Sequence, residues 1–442
     1  MDIKVVKFGG SSLASAEQFK KVGSIVNADK QRRYIIPSAP GKRFSDDTKV
    51  TDMLYACYEQ AKAGQSIDKS FSKIALRYNE IIEGLGLTLD LTEEFERIKQ
   101  GITYSAGRDF AASRGEYLNG IILANYLGFE FIDAAEVIFF NESGKFDLKA
   151  TNRTLSERLQ RTPNAVIPGF YGAMPNGTVK TFSRGGSDIT GSIVALAANA
   201  ALYENWTDVS GFLIADPRIV SDPKGITFIT YAELRELSYM GASVLHEDAI
   251  FPVRKAKIPI NIKNTNDPEA KGTMIVAEAG DMKNEYIITG ISGKKGFSVI
   301  TIEKDTMNSE IGFGRKVLTV LENNEISFEH LPSGIDTMSV IVHTNDVKEN
   351  REQICNQIKQ ATDADEVYIE DGLAMIAVVG RGMQRKHGTA ARVFAALSHA
   401  RINIRMIDQG SSELNIIIGV EEADFEKATN AIYDVFVLSA VE

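Results

Sequence analysis

The sequence is poor in the residues that most often announce a chemistry. Only two of its 442 residues are cysteines, Cys57 and Cys355, and no motif surrounds either. A disulfide framework is excluded, and two structural thiols in a reduced, cytoplasmic protein are expected. The five histidines, at 246, 330, 343, 387 and 399, show no metal-ligand spacing, so no zinc site is expected. No apolar run approaches the roughly 20 residues of a membrane span. The nearest, SIVALAANAALY, is short and interrupted by Asn199. Lys4 and Lys7 break any signal-peptide core. The net charge is −10 with no polybasic run, which argues against nucleic acid as a partner. The P-loop pattern G-x-x-x-x-G-K-[ST] is missing, and so are the H-R-D and D-F-G signatures of protein kinases. GFG at 312–314 lacks the third glycine of a dinucleotide fingerprint.

What is present reads as an α/β protein of two or three domains. IKVVKF and RYIIPSA are short apolar runs closed by turn residues, hence buried strands. Between them Phe19, Val22, Ile25 and Val26 recur at helical spacing. NAVIPGFYG, ITGSIVALAANAAL and YENWTDVSGFLIAD continue the alternation, which implies a mostly parallel sheet flanked by helices. Residues 40–127 are more helical and are expected to form a lobe over one end of the sheet. Polar, turn-rich KNTNDPEAKGT and AEAGDMKNE close this domain, which we set at 1–280.

Beyond it lies an internal repeat with an offset of 76 residues. Gly312 aligns with Gly388, Val317 with Val393, Leu321 with Leu397, Ile326 with Ile402 and Gly334 with Gly410. Each copy, 297–372 and 373–442, reads strand, helix, strand, strand, helix. The first adds a strand, EVYIED at 366–371, whose counterpart would begin at residue 442. The otherwise unassigned strand EYIITGI at 285–291 is expected to fill the vacant edge of the second copy.

Two glycine turns stand out. KFGGSS (Lys7–Ser12) ends a strand and opens a helix, and the exposed N–H groups there suit a phosphate, with Lys7 adding a full charge. A tight structural turn beside a snorkelling lysine is the alternative. SRGGSD (183–188) also opens a helix and carries Arg184, Ser187 and Asp188. A third element, WTDVSGFLIADPR, sets Thr207, Asp208, Asp216 and Arg218 around a hairpin-like turn. Such elements at strand ends are where α/β proteins gather ligands.

Together, KFGGSSL, SRGEYL, SRGGSD, WTDVSGFLIADPR and MGASVLH resemble, in order and spacing, the aspartate kinases. These are amino-acid kinases with paired C-terminal ACT domains, and the resemblance covers essentially the whole chain. It implies an amino-acid kinase fold followed by two ferredoxin-like βαββαβ ACT domains. It also implies transfer of the γ-phosphoryl of ATP, with Mg2+, to the β-carboxylate of L-aspartate. That carboxylate, with a pKa of about 3.9, is already ionised at neutral pH, so positioning and cations suffice without a general base. The alternatives are a kinase for another acceptor or a non-catalytic amino-acid sensor.

The resemblance assigns Lys7 and Asp188 to catalysis. It places Arg184 on the substrate α-carboxylate, Glu116 on its ammonium, and Ser38, Thr51 and Ser187 nearby. Phe8, Gly9, Gly10, Ser11, Thr207, Asp208, Leu213, Asp216 and Arg218 would join Lys7 around the nucleotide. Asn266 stands where relatives often place a nucleotide-site lysine, and Lys263 is the substitute. The segment before Thr51, residues 40–52, is longer than in many relatives. In the first repeat, Met307, Ser309, Ser327, Glu329 and Asp336 are candidates for an amino-acid effector, lysine in preference to threonine. The second copy has Arg405 where Glu329 would align, so the two copies are not expected to bind one ligand equally. A homodimer through the ACT domains is the expected assembly.

Overall fold

The computed structural model describes residues 2–104, 107–183, 185–241, 245, 247–280, 282, 285–384 and 386–438. The chain forms two compact units. The first comprises Met1–Phe212, Gly225–Tyr231 and Ser243–Asp281; the second comprises Leu213–Lys224, Ala232–Ala242 and Met282–Glu442. Two short segments before the expected boundary near 280, Leu213–Lys224 and Ala232–Ala242, thus cluster with the second unit. Among the described residues no helix is long and apolar enough to cross a membrane.

The first unit is built on strands β1 (Lys4–Phe8), β2 (Arg32–Pro37), β3 (Glu130–Phe131), β4 (Ala165–Val166), β7 (Leu202–Thr207), β8 (Phe228–Thr230), β9 (Ile260–Asn264) and β10 (Thr273–Val276). They form one sheet in the order β3-β4-β2-β1-β7-β9-β10-β8. All neighbours are parallel except β9 and β10. β5 (Tyr171–Ala173) and β6 (Val179–Thr181) make a separate antiparallel ribbon. Central β1 buries Val5, Val6 and Phe8 completely, as a strand covered on both faces must. The helix Ala16–Asn27 packs Phe19, Val22, Ile25 and Val26 inward, the spacing read from the sequence. Residues 40–127 are mostly helical, in helices Val50–Lys62, Asp68–Gly84, Thr92–Thr103 and Arg108–Leu127. The last is buried around most of its circumference, including Arg114, Glu116 and Asn119, and ends at Gly128 in the left-handed region at φ 68°.

The second unit holds one six-stranded antiparallel sheet. Its strands are β11 (Gly290–Glu303), β12 (Phe328–His330), β13 (Thr337–His343), β14 (Glu366–Val379), β15 (Met406–Asp408) and β16 (Asn415–Glu421). The order β12-β13-β11-β14-β16-β15 places the two repeats side by side on a shared central pair. β14 runs unbroken across the expected boundary at 372/373. β11 begins at Gly290 rather than 285, and Gly290–Lys294 pairs with Met375–Val379, while Val299–Glu303 pairs with Glu366–Glu370. Of the strand expected at 285–291 only Gly290 and Ile291 are in a strand; they open a longer one whose first half pairs with the second repeat and whose second half belongs to the first. Repeat-related Val317 and Val393, and Leu321 and Leu397, are all core residues. Gly312 and Gly388 precede their helices at the same φ of 83°, which explains why this repeat position is glycine in both copies.

Candidate active site

Adjacent parallel strands β2, β1 and β7 end together at Pro37, Phe8 and Thr207, the edge where ligands bind in open α/β sheets. Lys7 stands opposite Asn205 in this register. Its Nζ lies 2.7 Å from Asp188 Oδ1, in the first turn of helix Gly186–Ala197, and donates to Asn205 Oδ1 at 3.3 Å. Asn205 Nδ2 in turn donates to Asp188 Oδ1 at 2.9 Å. Asp188 Oδ2 has no partner among the described residues.

The glycine turn differs in one respect from the sequence expectation. Gly10–Leu13 is a short 3-10 turn, and the α-helix begins only at Ala16. The Gly9 N–H donates to the Trp206 carbonyl at 2.9 Å and the Ser12 N–H to the Gly9 carbonyl at 3.0 Å. The N–H groups of Gly10 and Ser11 find no acceptor among the described residues. Gly10 cannot be replaced freely, because a Cβ there would lie 2.8 Å from the Ala39 carbonyl oxygen. One on Gly41 would meet the Gly10 carbonyl carbon at 2.7 Å. The two loops thus cross backbone to backbone, joined by Gly41 N–H to the Gly10 carbonyl at 2.8 Å.

Arg77 secures this crossing. It is buried, donates to the carbonyls of Gly41 at 2.6 Å and Ala14 at 3.2 Å, and pairs with Asp47 at 2.8 Å. Arg43 also binds Asp47. The hydrogen bond from Arg43, with the charge of Arg77, holds the Asp47 carboxyl well below its ordinary range. The long 40–52 segment is therefore a clamped loop.

Glu116 is the second focus. It is buried, and its Oε2 has no hydrogen-bond partner among the described residues. Burial pushes its pKa up to about 8, against a hydrogen bond from the Ala39 backbone and the charge of Arg114, which pull it down. One turn along the helix, Asn119 Nδ2 donates to the Ser38 carbonyl at 2.7 Å and ties this helix to the end of β2. Ser187 is buried beside Gly169, and Thr51 lies in the first turn of its helix. Arg184 lies outside the described residues.

The nucleotide candidates divide between the units. Thr207 ends β7 and Asp208 follows it, and Thr207 Oγ1 donates to Asp208 Oδ1 at 3.1 Å. Lys263 lies against the Trp206 ring, 5.0 Å from its centre, a cation–π contact. Asn266 Oδ1 accepts from Gln18 and Lys21. Leu213, Asp216 and Arg218 belong to the second unit and lie on a hairpin-like turn, with the Ile214 N–H donating to the Lys224 carbonyl at 2.9 Å. There Arg218 folds back onto Asp216 at 2.5 Å.

The effector candidates also separate. Asp336 accepts from Thr306 N–H at 2.8 Å, and Ser309 donates to the Thr306 carbonyl at 2.8 Å. With buried Met307 they gather before helix Phe313–Asn323. Glu329 is on β12 with His343 Nε2 at 3.3 Å, and Ser327 lies just before that strand. Sequence reasoning missed Asn205, Asn119 and Arg77. Asn119 was accessible as the i+3 neighbour of Glu116, whereas Asn205 and Arg77 act across segments far apart in the chain.

Comparison with known proteins identifies the family. The sequence model of the amino acid kinase family matches residues 2–264, and that of an ACT domain matches 376–436. Aspartokinase 3 of Bacillus subtilis is 41% identical over 449 residues, covering 98% of each chain. The crystal structure of Clostridium acetobutylicum aspartate kinase superposes with a TM-score of 0.93 at 55% identity, covering 98% of this chain and 100% of that one. Escherichia coli aspartokinase III in complex with aspartate and ADP gives 0.73 at 25% identity, covering 98% and 99%. The chain belongs to the aspartokinases of the amino acid kinase family and is an ATP-dependent aspartate kinase.

Proposed function

We propose that the C-terminal edge of β1, β2 and β7 performs the transfer, with ATP phosphates on Lys7 and the free N–H groups of Gly10 and Ser11, and aspartate between Arg184 and Glu116. The single observation that carries this reading is the buried Glu116 carboxylate with an unpartnered oxygen. A buried carboxylate is costly until it meets a cation, and the substrate ammonium is that cation. Lys7 offers charge to the transferring phosphoryl, where a preorganised cation lowers the barrier most. Ser38, Thr51 and Ser187 offer hydroxyls to the acceptor. Thr207, Asp208 and Lys263 serve the nucleotide.

Mg2+ would neutralise charge on the phosphate oxygens. The free Oδ2 of Asp188 fits a role in holding it. Phosphate oxygens and water would complete its shell. The test is ATP turnover dependent on L-aspartate. Glu116→Ala should abolish saturation by aspartate while leaving nucleotide binding in place, and unchanged KM for aspartate would refute the assignment.

A regulatory reading goes with it. A lysine-sensitive aspartokinase 3 of E. coli is 26% identical over 98% of both chains, and a complex of E. coli aspartokinase III with lysine and aspartate superposes at a TM-score of 0.72. We assign an amino-acid effector, L-lysine before L-threonine, to the first repeat, in a cytoplasmic homodimer joined through the ACT repeats. The polar groups around Met307, Ser309 and Asp336 support this.

A further inference from the structure

We propose that Asn205 is a positioning residue for phosphoryl transfer, its amide bridging Lys7 and Asp188 so that both opposite charges are held in working register. This rests on the reading of Lys7 and Asp188 given above. Asn205 is 4% exposed in the middle of a sheet, where asparagine is disfavoured and a buried amide is costly unless fully bonded. Packing therefore does not explain it. Both functions of its amide are used on charged partners: Oδ1 accepts from Lys7 at 3.3 Å, and Nδ2 donates to Asp188 at 2.9 Å.

The consequence is directional. A lysine on a flexible four-carbon stem can close onto either oxygen of a carboxylate. Asn205, set by the parallel register that pairs residue 7 with residue 205, directs both donors to Asp188 Oδ1. One Lys7 N–H is then left for the reacting phosphates, and Oδ2 for a cation that accompanies them. A neutral side chain of this length that accepts from a cation and donates to an anion must be an amide. Leucine would fill the space without bridging. Aspartate would place a second carboxylate against Lys7 and compete with the phosphoryl for its charge.

The test is steady-state kinetics on Asn205→Leu, Asn205→Asp, Lys7→Ala and the double variant Lys7→Ala/Asn205→Leu, with urea unfolding midpoints alongside. The expected result is at least a tenfold fall in kcat for both Asn205 variants, with KM for aspartate and for ATP changed less than threefold. The double variant should lose little beyond Lys7→Ala, because the bridge acts through that lysine. A folded Asn205→Asp or Asn205→Leu enzyme with kcat within twofold of wild type overturns the proposal. So does a loss carried by KM, or losses that multiply in the double variant. Near-normal turnover of Lys7→Ala would instead overturn the Lys7 reading, and the bridge with it.

Discussion

Replacing Glu116 by glutamine should make the catalytic unit more stable and the enzyme unable to bind aspartate, and the gain should depend on pH in a calculable way. Burial raises the folded-state pKa of Glu116 from 4.5 to about 8. A carboxyl raised on folding adds stability below its unfolded pKa and loses it as pH rises through the folded value. The wild type thus loses stability between about pH 4.5 and pH 8, at about 1.4 kcal/mol per pH unit, approaching 5 kcal/mol in order of magnitude. Glutamine keeps the shape and never ionises, so it escapes this loss. Its advantage should be about 1 kcal/mol at pH 5 and several kcal/mol by pH 9. Urea denaturation followed through Trp206, the only tryptophan, reports on the correct unit, since it is buried on β7 in the same unit as Glu116. A stability difference that stays constant from pH 5 to 9 would refute the burial argument. The same ionisation governs the substrate: kcat/KM for aspartate in the wild type should rise with pH toward about 8, as Glu116 becomes the partner an ammonium requires.

Lys7→Ala should lower kcat by about 100-fold or more, whereas Arg184→Ala should act mainly on KM for aspartate; steady-state kinetics separate the two, and a near-normal kcat for Lys7→Ala would refute its role. Arg77→Met removes the donor that joins Asp47, Gly41 and Ala14, so KM for aspartate should rise and proteolysis within 40–52 should quicken; unchanged values for both would show the clamp to be idle. The Asp47 contribution is present above its ordinary pKa and should be lost as pH falls below it, which acid titration of unfolding in wild type and Asp47→Asn will measure. Gly41→Ala forces a Cβ against the Gly10 backbone and should impair turnover more than folding yield, a comparison that soluble expression and kcat provide. Lysine and threonine should be tested as inhibitors separately and together, on wild type and Glu329→Ala; inhibition by threonine alone, or lysine inhibition untouched in the variant, would refute the effector assignment.

The sequence by itself determined the elements and their class. Alternating apolar runs and helical spacing are local properties, so β1, its following helix and the twofold repeat were legible without coordinates. Gly312 and Gly388 could be paired by their offset alone, and their shared φ of 83° is the physical content of that pairing. The turn KFGGSS was legible as a phosphate candidate because it combines a strand end, glycines and a lysine within six residues. Tertiary structure decided what depends on contacts between distant segments. The parallel register of β1 and β7 placed Asn205 against Lys7, and no pattern around either residue encodes that pairing. The crossing of Gly10 and Gly41, and its support by Arg77, likewise joins loops with no common periodicity. Strand limits were decided by pairing partners: β11 and β14 run through the expected repeat boundary because each half finds neighbours in a different repeat. The ionisation of Glu116 belongs to the fold as well, since a helix residue with an ordinary acid side chain becomes an unusual one only when burial removes its water.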